Sequence, residues 1–501
     1  MTERTTLYLH ARHAVGEVSP RIFGGFLEHM GRAVYGGLYD PESRHADADG
    51  TRGDVLEALR ELRMTVMRYP GGNFVSGYHW RDGVGPRDRR PTVRELAWQS
   101  IEPNRFGTDE FIRLCRKLDW QPMLAVNLGT GTPEEARDWV EYCNSPVGTR
   151  NADLRAANGS AEPHAVPLWC LGNEMDGFWQ LGHVPAKQYA LRARQAAQLM
   201  KACDRSIETV ACGTSHPEMP SFLKWDRAVL QRLGELADYI SLHRYVGNYD
   251  DDSREYLALS KSIDRQIESV DACARYVQQR LKLLRRAYLS FDEWNVWYRT
   301  FDLAKLDGQG KFAPPLIEER YNLEDALVVG QFLMSFIRHA DSVKIANFSQ
   351  VVNVIAPLLT LGDELLKQSI YYAFRMFSSR RGGVSLRCPV DGPSYASERH
   401  GEVPCLDCAA VLDGTKLHVF AVNRHLDGPL ELAVDFAGAD IAQVADAEIL
   451  CADLKAENSF ESPDEVRPET FDGWSVSGPT GNAAAMLPAH SLVATSFELA
   501  G

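Results

Sequence analysis

The sequence lacks a hydrophobic run of the kind that crosses a membrane, since no stretch approaches about 18 uninterrupted apolar residues. Its first residues, MTERTTLYLHARH, also lack the apolar core of a signal peptide. The ten cysteines are scattered from Cys115 to Cys451, and their spacing resembles no disulfide framework. These absences predict a protein of the reducing cytoplasm with no membrane partner.

Positive charge is also in short supply, with 54 lysines and arginines against 68 aspartates and glutamates and a net charge of −14. The phosphates of nucleic acids favour a basic surface, so we expect no nucleic-acid partner. The charge says little about a neutral small-molecule substrate. The 501 residues, of which 45% are hydrophobic, are enough for more than one folded domain.

Motifs for the common cofactors are missing too. Gly129 and Gly131 come nearest to a dinucleotide-binding loop, but the third glycine of that motif is absent. A P-loop, the GxS-type nucleophile elbow and the histidine and cysteine pattern of a zinc site are likewise absent. One CxxC pair, Cys405 and Cys408, leaves a metal or redox site as a minor alternative. We therefore predict no cofactor and no metal.

What the chain does contain is a repeated alternation of a short apolar run, a polar tip and a stretch with helical spacing. The eight apolar runs lie at 22–28, 65–73, 122–129, 167–174, 209–216, 239–245, 287–294 and 342–350. Strands that alternate with helices form a parallel sheet, and eight of them match a (β/α)8 TIM barrel. We predict this barrel for residues 21–360. An open doubly wound sheet remains the alternative, because it needs no particular number of strands.

The pattern changes after about residue 355. Residues 409–423 contain two alternating runs around Asp413 and Gly414, which indicates a hairpin, and 430–436 and 491–499 are further strand candidates. We therefore predict an all-β sandwich over residues 361–501, with loops in the polar segment 454–482. Residues 5–11 also alternate, and we predict that residues 1–20 contribute a strand to this sandwich.

Polar residues stand at the ends of the predicted barrel strands, where the active site of such a barrel is found. They are Glu28, Arg68, Asn73, Asn127, Asn173, Glu174, His243, Tyr245, Glu293 and Gln350. Each of them alone is explained by a hydrogen bond at the barrel rim. Together they provide carboxylates, amides and a phenol around one opening.

Two of these acids, Glu174 and Glu293, end the fourth and the seventh runs. Only a closed sheet brings residues so far apart in the chain across one pocket, and two facing carboxylates are typical of a glycoside hydrolase. One must be protonated and the other ionised at the same pH. We expect Arg68 to keep Glu293 ionised, and the charge of Glu293 and aromatic neighbours such as Trp179 to keep Glu174 protonated. The structural alternative is an ion-paired rim.

Aromatic residues lie at or shortly after several of the predicted strand ends. They are Trp80, Trp98, Trp179, Trp294, Trp297 and Tyr298. Indole faces can stack on the C–H faces of a sugar, while amides at the strand ends bind its hydroxyl groups. The alternative for each ring is ordinary packing of a loop against the barrel.

Four long stretches carry a resemblance to a known family. RIFGGFLEHMGRAVYGGLYD, MRYPGGNFVSGYHWRDGVGPRDRRP, WCLGNEMDGFWQLGH and FDEWNVWY closely resemble the α-L-arabinofuranosidases of glycoside hydrolase family 51. The resemblance runs from Arg21 to about Gln350, and the segment after residue 355 resembles the family in kind alone. It implies a TIM barrel with a C-terminal jelly-roll-like sandwich, a metal-free enzyme and a homo-oligomer, often a hexamer.

The resemblance also implies roles for individual residues. Glu174 matches the general acid/base and Glu293 the nucleophile of a retaining mechanism. Asn173 matches the amide that binds the sugar 2-hydroxyl, and Arg68 the partner of the nucleophile. Further residues predicted to bind the furanose are Glu28, Asn73, His243, Tyr245, Trp297 and Gln350. Retention requires the two carboxyl groups to lie about 5–5.5 Å apart, and we predict this close spacing.

The implied activity is an exo-acting α-L-arabinofuranosidase that cleaves terminal non-reducing residues from arabino-oligosaccharides or arabinoxylan fragments. A β-xylosidase or an endoglucanase of the same fold is the first alternative, because specificity depends on loops. A carbohydrate-binding protein without catalysis is the second, although both acids are present. The loop at 295–315 is long, and we expect it to influence which branched or polymeric substrates are accepted.

Overall fold

The computed structural model describes residues 3–299, 310–477 and 482–500. Within these ranges no helix combines the length and the apolar character needed to cross a membrane. The α-helices are α1 (Gly53–Glu61), α2 (Thr108–Leu118), α3 (Pro133–Asn144), α4 (Arg150–Ala157), α5 (Ala186–Cys203), α6 (Lys224–Leu233), α7 (Ser253–Leu257), α8 (Ser260–Leu281), α9 (Leu323–Arg338) and α10 (Ser369–Ser378).

The strands fall into two sets along the chain. The first set is β1 (Glu3–His10), β2 (Ala14–Glu17), β3 (Gly24–Phe26), β4 (Val66–Tyr69), β5 (Val93–Arg94), β6 (Ile101–Glu102), β7 (Gln121–Ala125), β8 (Leu168–Leu171), β9 (Glu208–Ala211), β10 (Tyr239–Val246), β11 (Tyr288–Val296) and β12 (Val343–Ser349). The second set is β13 (Leu358–Leu361), β14 (Glu364–Lys367), β15 (Val384–Leu386), β16 (Val390–Asp391), β17 (Ser394–Ser397), β18 (Gly401–Pro404), β19 (Leu406–Asp413), β20 (Lys416–Asn423), β21 (Leu430–Ala437), β22 (Ile441–Leu450), β23 (Glu469–Thr470), β24 (Trp474–Ser477), β25 (Asn482–Leu487) and β26 (Ser491–Leu499).

Eight parallel strands form a closed barrel in the order β3, β4, β7, β8, β9, β10, β11 and β12, with β12 pairing back onto β3. Each of the eight apolar runs overlaps one of these strands, so the predicted (β/α)8 barrel is confirmed. The interior is filled by side chains such as Val66, Met123, Leu168, Val210 and Ile345, all of them buried. The barrel is therefore a packed core, and its strand ends are held rigidly enough to carry a site.

The C-terminal part contains two facing sheets, one of five and one of seven strands. β1 pairs in parallel with β21 along its whole length, so the N-terminal strand belongs to the five-stranded sheet. β2 belongs to the seven-stranded sheet through β15. The core between the sheets is apolar and includes Leu7, Val419, Leu432 and Phe497. The predicted fold class, a TIM barrel followed by an all-β domain, is confirmed.

Two details of the C-terminal part differ from the sequence prediction. The segment 454–482, predicted as loops, contains the short strands β23 and β24 in its described residues. Trp474 packs edge-on against Phe497 at 4.9 Å, which anchors β24. The segment 361–501, predicted as a sandwich, also contains a helix, α10, between β14 and β15. Its Phe377 stacks on Phe420 of β20 at 4.2 Å, so this helix packs directly on the sandwich.

Candidate active site

A pocket of about 500 Å³ opens at the C-terminal ends of the barrel strands. Its walls combine carboxylates, amides, aromatic rings and a few aliphatic side chains. The lining residues are Glu28, Met30, Gly72, Asn73, Trp98, Glu174, Phe178, Trp179, Ser215, His216, Tyr245, Glu293, Trp297, Arg299, Ile317, Ser349, Gln350 and Ile355. This composition, mainly apolar with a few convergent polar groups, is typical of a small-molecule site.

Glu174 follows β8 in a tight turn. Gly172 has a φ of 91°, and Glu174 itself has a φ of 41°, a left-handed conformation that is uncommon for a non-glycine residue. Such local strain is often found at functional sites. The Glu174 Oε2 atom accepts a hydrogen bond of 2.7 Å from the Trp179 indole, and Oε1 lies 2.9 Å from His243 Nδ1. The carboxyl group is thus fixed at the pocket wall.

Glu293 lies on β11 and is buried. Its Oε1 accepts a hydrogen bond of 2.7 Å from Arg68, and its Oε2 accepts one of 2.9 Å from the Tyr245 hydroxyl. Burial raises the pKa of Glu293 above its usual value, while the positive charges of His243 and Arg68 act in the opposite direction. The cations therefore favour the ionised form that burial disfavours.

The two acids lie close together. One carboxylate oxygen of Glu174, one of Glu293 and a ring nitrogen of His243 all lie within 4.8 Å of one another. This separation is near the spacing of a retaining glycosidase and well below the roughly 6.5–9.5 Å of an inverting one. The arrangement supports attack on an anomeric carbon by one carboxylate and proton transfer to the leaving oxygen by the other.

His243 lies beneath the acids and is not among the lining residues. Its Nε2 atom lies 3.2 Å from Asp292, which in turn lies 3.6 Å from the Arg68 guanidinium. Burial lowers the pKa of His243, but Glu293, Asp292 and Glu174 more than compensate and raise it well above its usual value. The ring is therefore a buried cation between carboxylates, and this position makes it a support of the acids. Asp292 was not anticipated from the sequence.

Glu28 and Gln350 form the floor of the pocket. Glu28 Oε1 accepts hydrogen bonds from the backbone N–H of Phe74 at 2.9 Å and from the Trp98 indole at 3.0 Å. The Gln350 side chain accepts from the Glu28 amide at 2.7 Å and donates to Glu28 Oε2 at 3.3 Å. Burial, followed by the charge of Glu293, raises the pKa of Glu28 to about 7. A ligand hydroxyl would therefore meet a carboxyl that changes ionisation near neutral pH.

Asn173 is oriented by Arg68, whose guanidinium donates a hydrogen bond of 2.6 Å to the amide oxygen. The amide nitrogen has no hydrogen-bond partner among the described residues, which leaves it as a donor. A Cβ atom at Gly72 would lie 3.2 Å from this nitrogen and 2.9 Å from Glu293 Oε1. Gly72 thus keeps the space between the amide and the acid open.

The remaining predicted residues form one side of the pocket. Tyr245 meets the ring of Trp297 edge-on at 5.5 Å, and its hydroxyl lies 2.7 Å from Ser349 Oγ. Asn73 begins a short 3-10 helix over Asn73–Gly77 and faces the pocket. All the predicted site residues therefore lie at one end of the barrel, either on the pocket wall or directly behind it.

The interpretation of the aromatic residues as sugar platforms was wrong for three of them. Trp80 stacks on Trp139 at 6.1 Å, and Trp294 packs on Phe332 of α9 at 5.1 Å, so both belong to the core. The Tyr298 hydroxyl donates to a buried aspartate at 2.6 Å. The other three, Trp98, Trp179 and Trp297, do line the pocket, and so does Phe178, which was not anticipated.

Two other candidates from the sequence, Asn127 and the pair Cys405 and Cys408, are not among the residues that line the pocket. The Asn127 carbonyl accepts hydrogen bonds of 3.0 Å from three successive backbone amides, 129–131, and so closes its own loop instead of facing the pocket. Cys405 and Cys408 are buried in the C-terminal part. In the described part of the chain neither belongs to a group of three or more potential metal ligands. In the loop predicted at 295–315, residues 300–309 lie outside the described residues.

The chain is similar to known arabinofuranosidases in sequence and in fold. Family models described as "Alpha-L-arabinofuranosidase 1 domain" and "Alpha-L-arabinofuranosidase C-terminal domain" match residues 58–261 and 292–491. The chain is 44% identical over 438 residues to an intracellular exo-α-(1→5)-L-arabinofuranosidase of Halalkalibacterium halodurans, which covers 87% of this chain and 88% of that protein. It is 38% identical over 510 residues to an exo-α-(1→6)-L-arabinofuranosidase of Bifidobacterium longum, with 99% and 98% covered. The solved structure of a family 51 α-L-arabinofuranosidase from Bifidobacterium longum superposes with a TM-score of 0.94 at 36% identity, over 99% of this chain and 100% of that one.

Proposed function

The chain belongs to the α-L-arabinofuranosidases of glycoside hydrolase family 51, and from this premise we propose that it removes terminal non-reducing α-L-arabinofuranosyl residues by a retaining double displacement. The substrates are arabino-oligosaccharides or arabinoxylan fragments. The observation that carries the proposal is the approach of a Glu174 and a Glu293 oxygen to within 4.8 Å inside one pocket. That spacing suits a covalent intermediate.

In the first step the Glu293 carboxylate attacks the anomeric carbon while Glu174 donates a proton to the leaving oxygen. The bond between the anomeric carbon and that oxygen breaks, and an arabinosyl ester of Glu293 forms. Arg68 and Tyr245 each donate a hydrogen bond to a different oxygen of Glu293, which fixes the direction of the attacking lone pair. Orientation of this kind supplies much of the rate.

In the second step Glu174, now ionised, takes a proton from water as the water oxygen attacks the anomeric carbon. The ester bond breaks, Glu293 is released as a carboxylate, and the sugar leaves with the configuration it had in the substrate. Asn173 and Glu28 are suited to hold the sugar hydroxyl groups through both steps. The Asn173 amide nitrogen, Glu28 Oε2 and Glu293 Oε1 all lie within 3.4 Å of the point that a Cβ atom at Gly72 would occupy. Glu174 thus serves first as the acid and then as the base.

Substrate preference tests the furanoside assignment. We expect kcat/KM on p-nitrophenyl α-L-arabinofuranoside to exceed that on the β-D-xylopyranoside at least about 100-fold. Amides and carboxylates that hydrogen-bond an arabinofuranose ring would in part remain unpaired with a xylopyranose ring. Cellobioside should not be cleaved. Initial rates on the three substrates decide the matter, and a faster xyloside would contradict the assignment. Since relatives are named for both 1→5 and 1→6 linkages, arabinobioses of defined linkage belong in the same panel.

The charge of His243 predicts a shift in pH dependence. Its ring nitrogen lies 3.5 Å from Glu293 Oε2 and lowers the pKa of that acid. His243→Asn removes the charge, so the pKa of Glu293 rises and the acid is protonated, and inactive, at a higher pH than in the wild type. The acidic limb of kcat/KM against pH should therefore move to higher pH, with a maximum reduced about 10- to 100-fold.

The control for this variant is His79→Asn, because His79 is half-exposed, contacts Glu135 and is not among the residues that line the pocket. Its profile should match the wild type. If the acidic limb of His243→Asn stays in place or moves to lower pH, the electrostatic role given to His243 is wrong.

Location and assembly follow the relatives and the family resemblance. The name of the Halalkalibacterium relative includes the word intracellular, which supports a cytoplasmic enzyme acting on short imported oligosaccharides. The family resemblance supports a homo-oligomer, and we expect a hexamer. No membrane or nucleic-acid partner is part of the proposed function.

A further inference from the structure

A hairpin that the reaction does not use directly carries one wall of the pocket. β5 and β6 pair through Val93 with Glu102 and Arg94 with Ile101, and residues 95–100 connect them. Trp98 lies in this connection and lines the pocket, although the hairpin itself stands outside the barrel. The position of the Trp98 ring therefore depends on how the connection is held.

Glu95 holds the connection from inside. Its Oε1 accepts a hydrogen bond of 2.5 Å from the Ala97 amide, and its Oε2 accepts one of 2.6 Å from the Trp98 amide. The backbone N–H of Glu95 donates to the Ser100 carbonyl at 3.0 Å, which closes the turn. Glu95 is 6% exposed, so these bonds are shielded from water and are worth more than at the surface.

Trp98 connects the hairpin to the pocket floor. Its indole nitrogen donates a hydrogen bond of 3.0 Å to Glu28 Oε1, the same oxygen that accepts from Phe74. We propose that Glu95 is a positioning residue for substrate binding, because its carboxylate fixes the backbone of Trp98 and thereby the indole and the Glu28 carboxyl that it contacts. The proposal rests on the proposed function, since Glu28 and Trp98 are taken to hold the sugar.

A mere stabiliser of the turn would have different consequences. It would change the melting temperature without changing the affinity for substrate. A positioning residue instead changes KM, because Trp98 and Glu28 hold the sugar in the ground state and the transition state alike. Glu174 and Glu293 have no contact with Glu95, so kcat should be largely kept.

The test is Glu95→Gln, assayed on p-nitrophenyl α-L-arabinofuranoside. The new side chain has nearly the same shape, but its NH2 group opposes one of the two amide donors. We expect KM to rise about tenfold with kcat within about threefold, the size of the cost of leaving one buried amide donor without its acceptor. Glu95→Asp, which is one methylene too short to reach both amides, should change KM in the same direction. Glu95→Asp therefore also tests the proposal if Glu95→Gln folds poorly.

The matched control is Glu255→Gln. The Glu255 carboxylate also accepts two backbone amides, from Glu398 at 2.7 Å and Arg399 at 3.3 Å, but it lies away from the pocket. Its KM should equal that of the wild type. Hydrogen exchange adds a readout that needs no activity, since Glu95→Gln should speed exchange at whichever of the Ala97 and Trp98 amides loses its acceptor.

A double-mutant cycle shows whether Glu95 acts through the indole. In the background of Trp98→Phe, which removes the bond to Glu28, Glu95→Gln should raise KM less than about twofold. The same tenfold rise in both backgrounds, or an unchanged KM in Glu95→Gln, would overturn the proposal. A wild type that hydrolyses no arabinofuranoside would refute the proposed function instead, so the two failures are distinguishable.

Discussion

Replacing Glu293 by alanine should lower kcat on p-nitrophenyl α-L-arabinofuranoside by about 10⁴-fold or more, the scale on which loss of a nucleophile acts. Neither of the other two carboxylates that the described residues bring to the pocket can take over. Glu28 is tied to Phe74, Trp98 and Gln350, and Glu174 is tied to Trp179 and His243. Steady-state rates measured over several hours are enough to define such a loss.

Azide distinguishes the lost nucleophile from a damaged pocket. In Glu293→Ala a small anion can enter the vacated space and attack the anomeric carbon, which restores turnover and gives the inverted β-L-arabinofuranosyl azide. Glu293→Gln keeps an oxygen acceptor for Arg68 and can donate from its NH2 group to the Tyr245 hydroxyl oxygen, so its melting temperature should stay near that of the wild type while its activity is lost. Activity within about tenfold of the wild type in either variant would remove Glu293 from the reaction.

Replacing Glu174 by alanine should have an effect that depends on the leaving group. An arabino-oligosaccharide leaves as an alkoxide unless it is protonated, so its hydrolysis should fall about 10³- to 10⁴-fold. p-Nitrophenolate needs no proton, so the first step should continue and the arabinosyl ester should accumulate on Glu293. We therefore expect a burst of one equivalent of p-nitrophenol followed by slow turnover.

Azide again provides the check for this variant. It needs no general base, so it should accelerate the second step of Glu174→Ala and yield the retained α-L-arabinofuranosyl azide. Asp204→Asn is a suitable control, because this acid caps a surface turn at Ser206 and should react as the wild type does. Equal losses on the oligosaccharide and on the p-nitrophenyl substrate, with no burst, would show that Glu174 is not the proton donor.

Much of the fold was predictable because each barrel strand is buried on both faces. In the sequence, a strand of this kind is a short continuous apolar run, and its polar end marks the edge of the barrel where a site lies. The runs ending in Glu174 and Glu293 showed both features, so the two acids were found together with the barrel. The hairpin at Asp413 and Gly414 was equally clear, and Lys416 pairs with Asp413 across a two-residue turn.

Other features depend on contacts that no local pattern encodes. The pairing of β11 with β12 is irregular between Phe291 and Trp294, and Asp292 and Glu293 both reach the buried cluster around Arg68 there. A strict alternation of faces would have separated them. Trp294 follows a pocket acid in sequence but packs on α9, which only the tertiary structure decides. Glu95 acts on backbone amides, and such acceptors have no sequence signature.

The central claim is that two glutamates act in turn on one anomeric carbon and preserve its configuration. Methanol added to the reaction competes with water for the arabinosyl ester and fixes the stereochemistry in a product that does not mutarotate. Proton NMR of that product is the most direct test. Methyl α-L-arabinofuranoside is the predicted product, and methyl β-L-arabinofuranoside would contradict the double displacement.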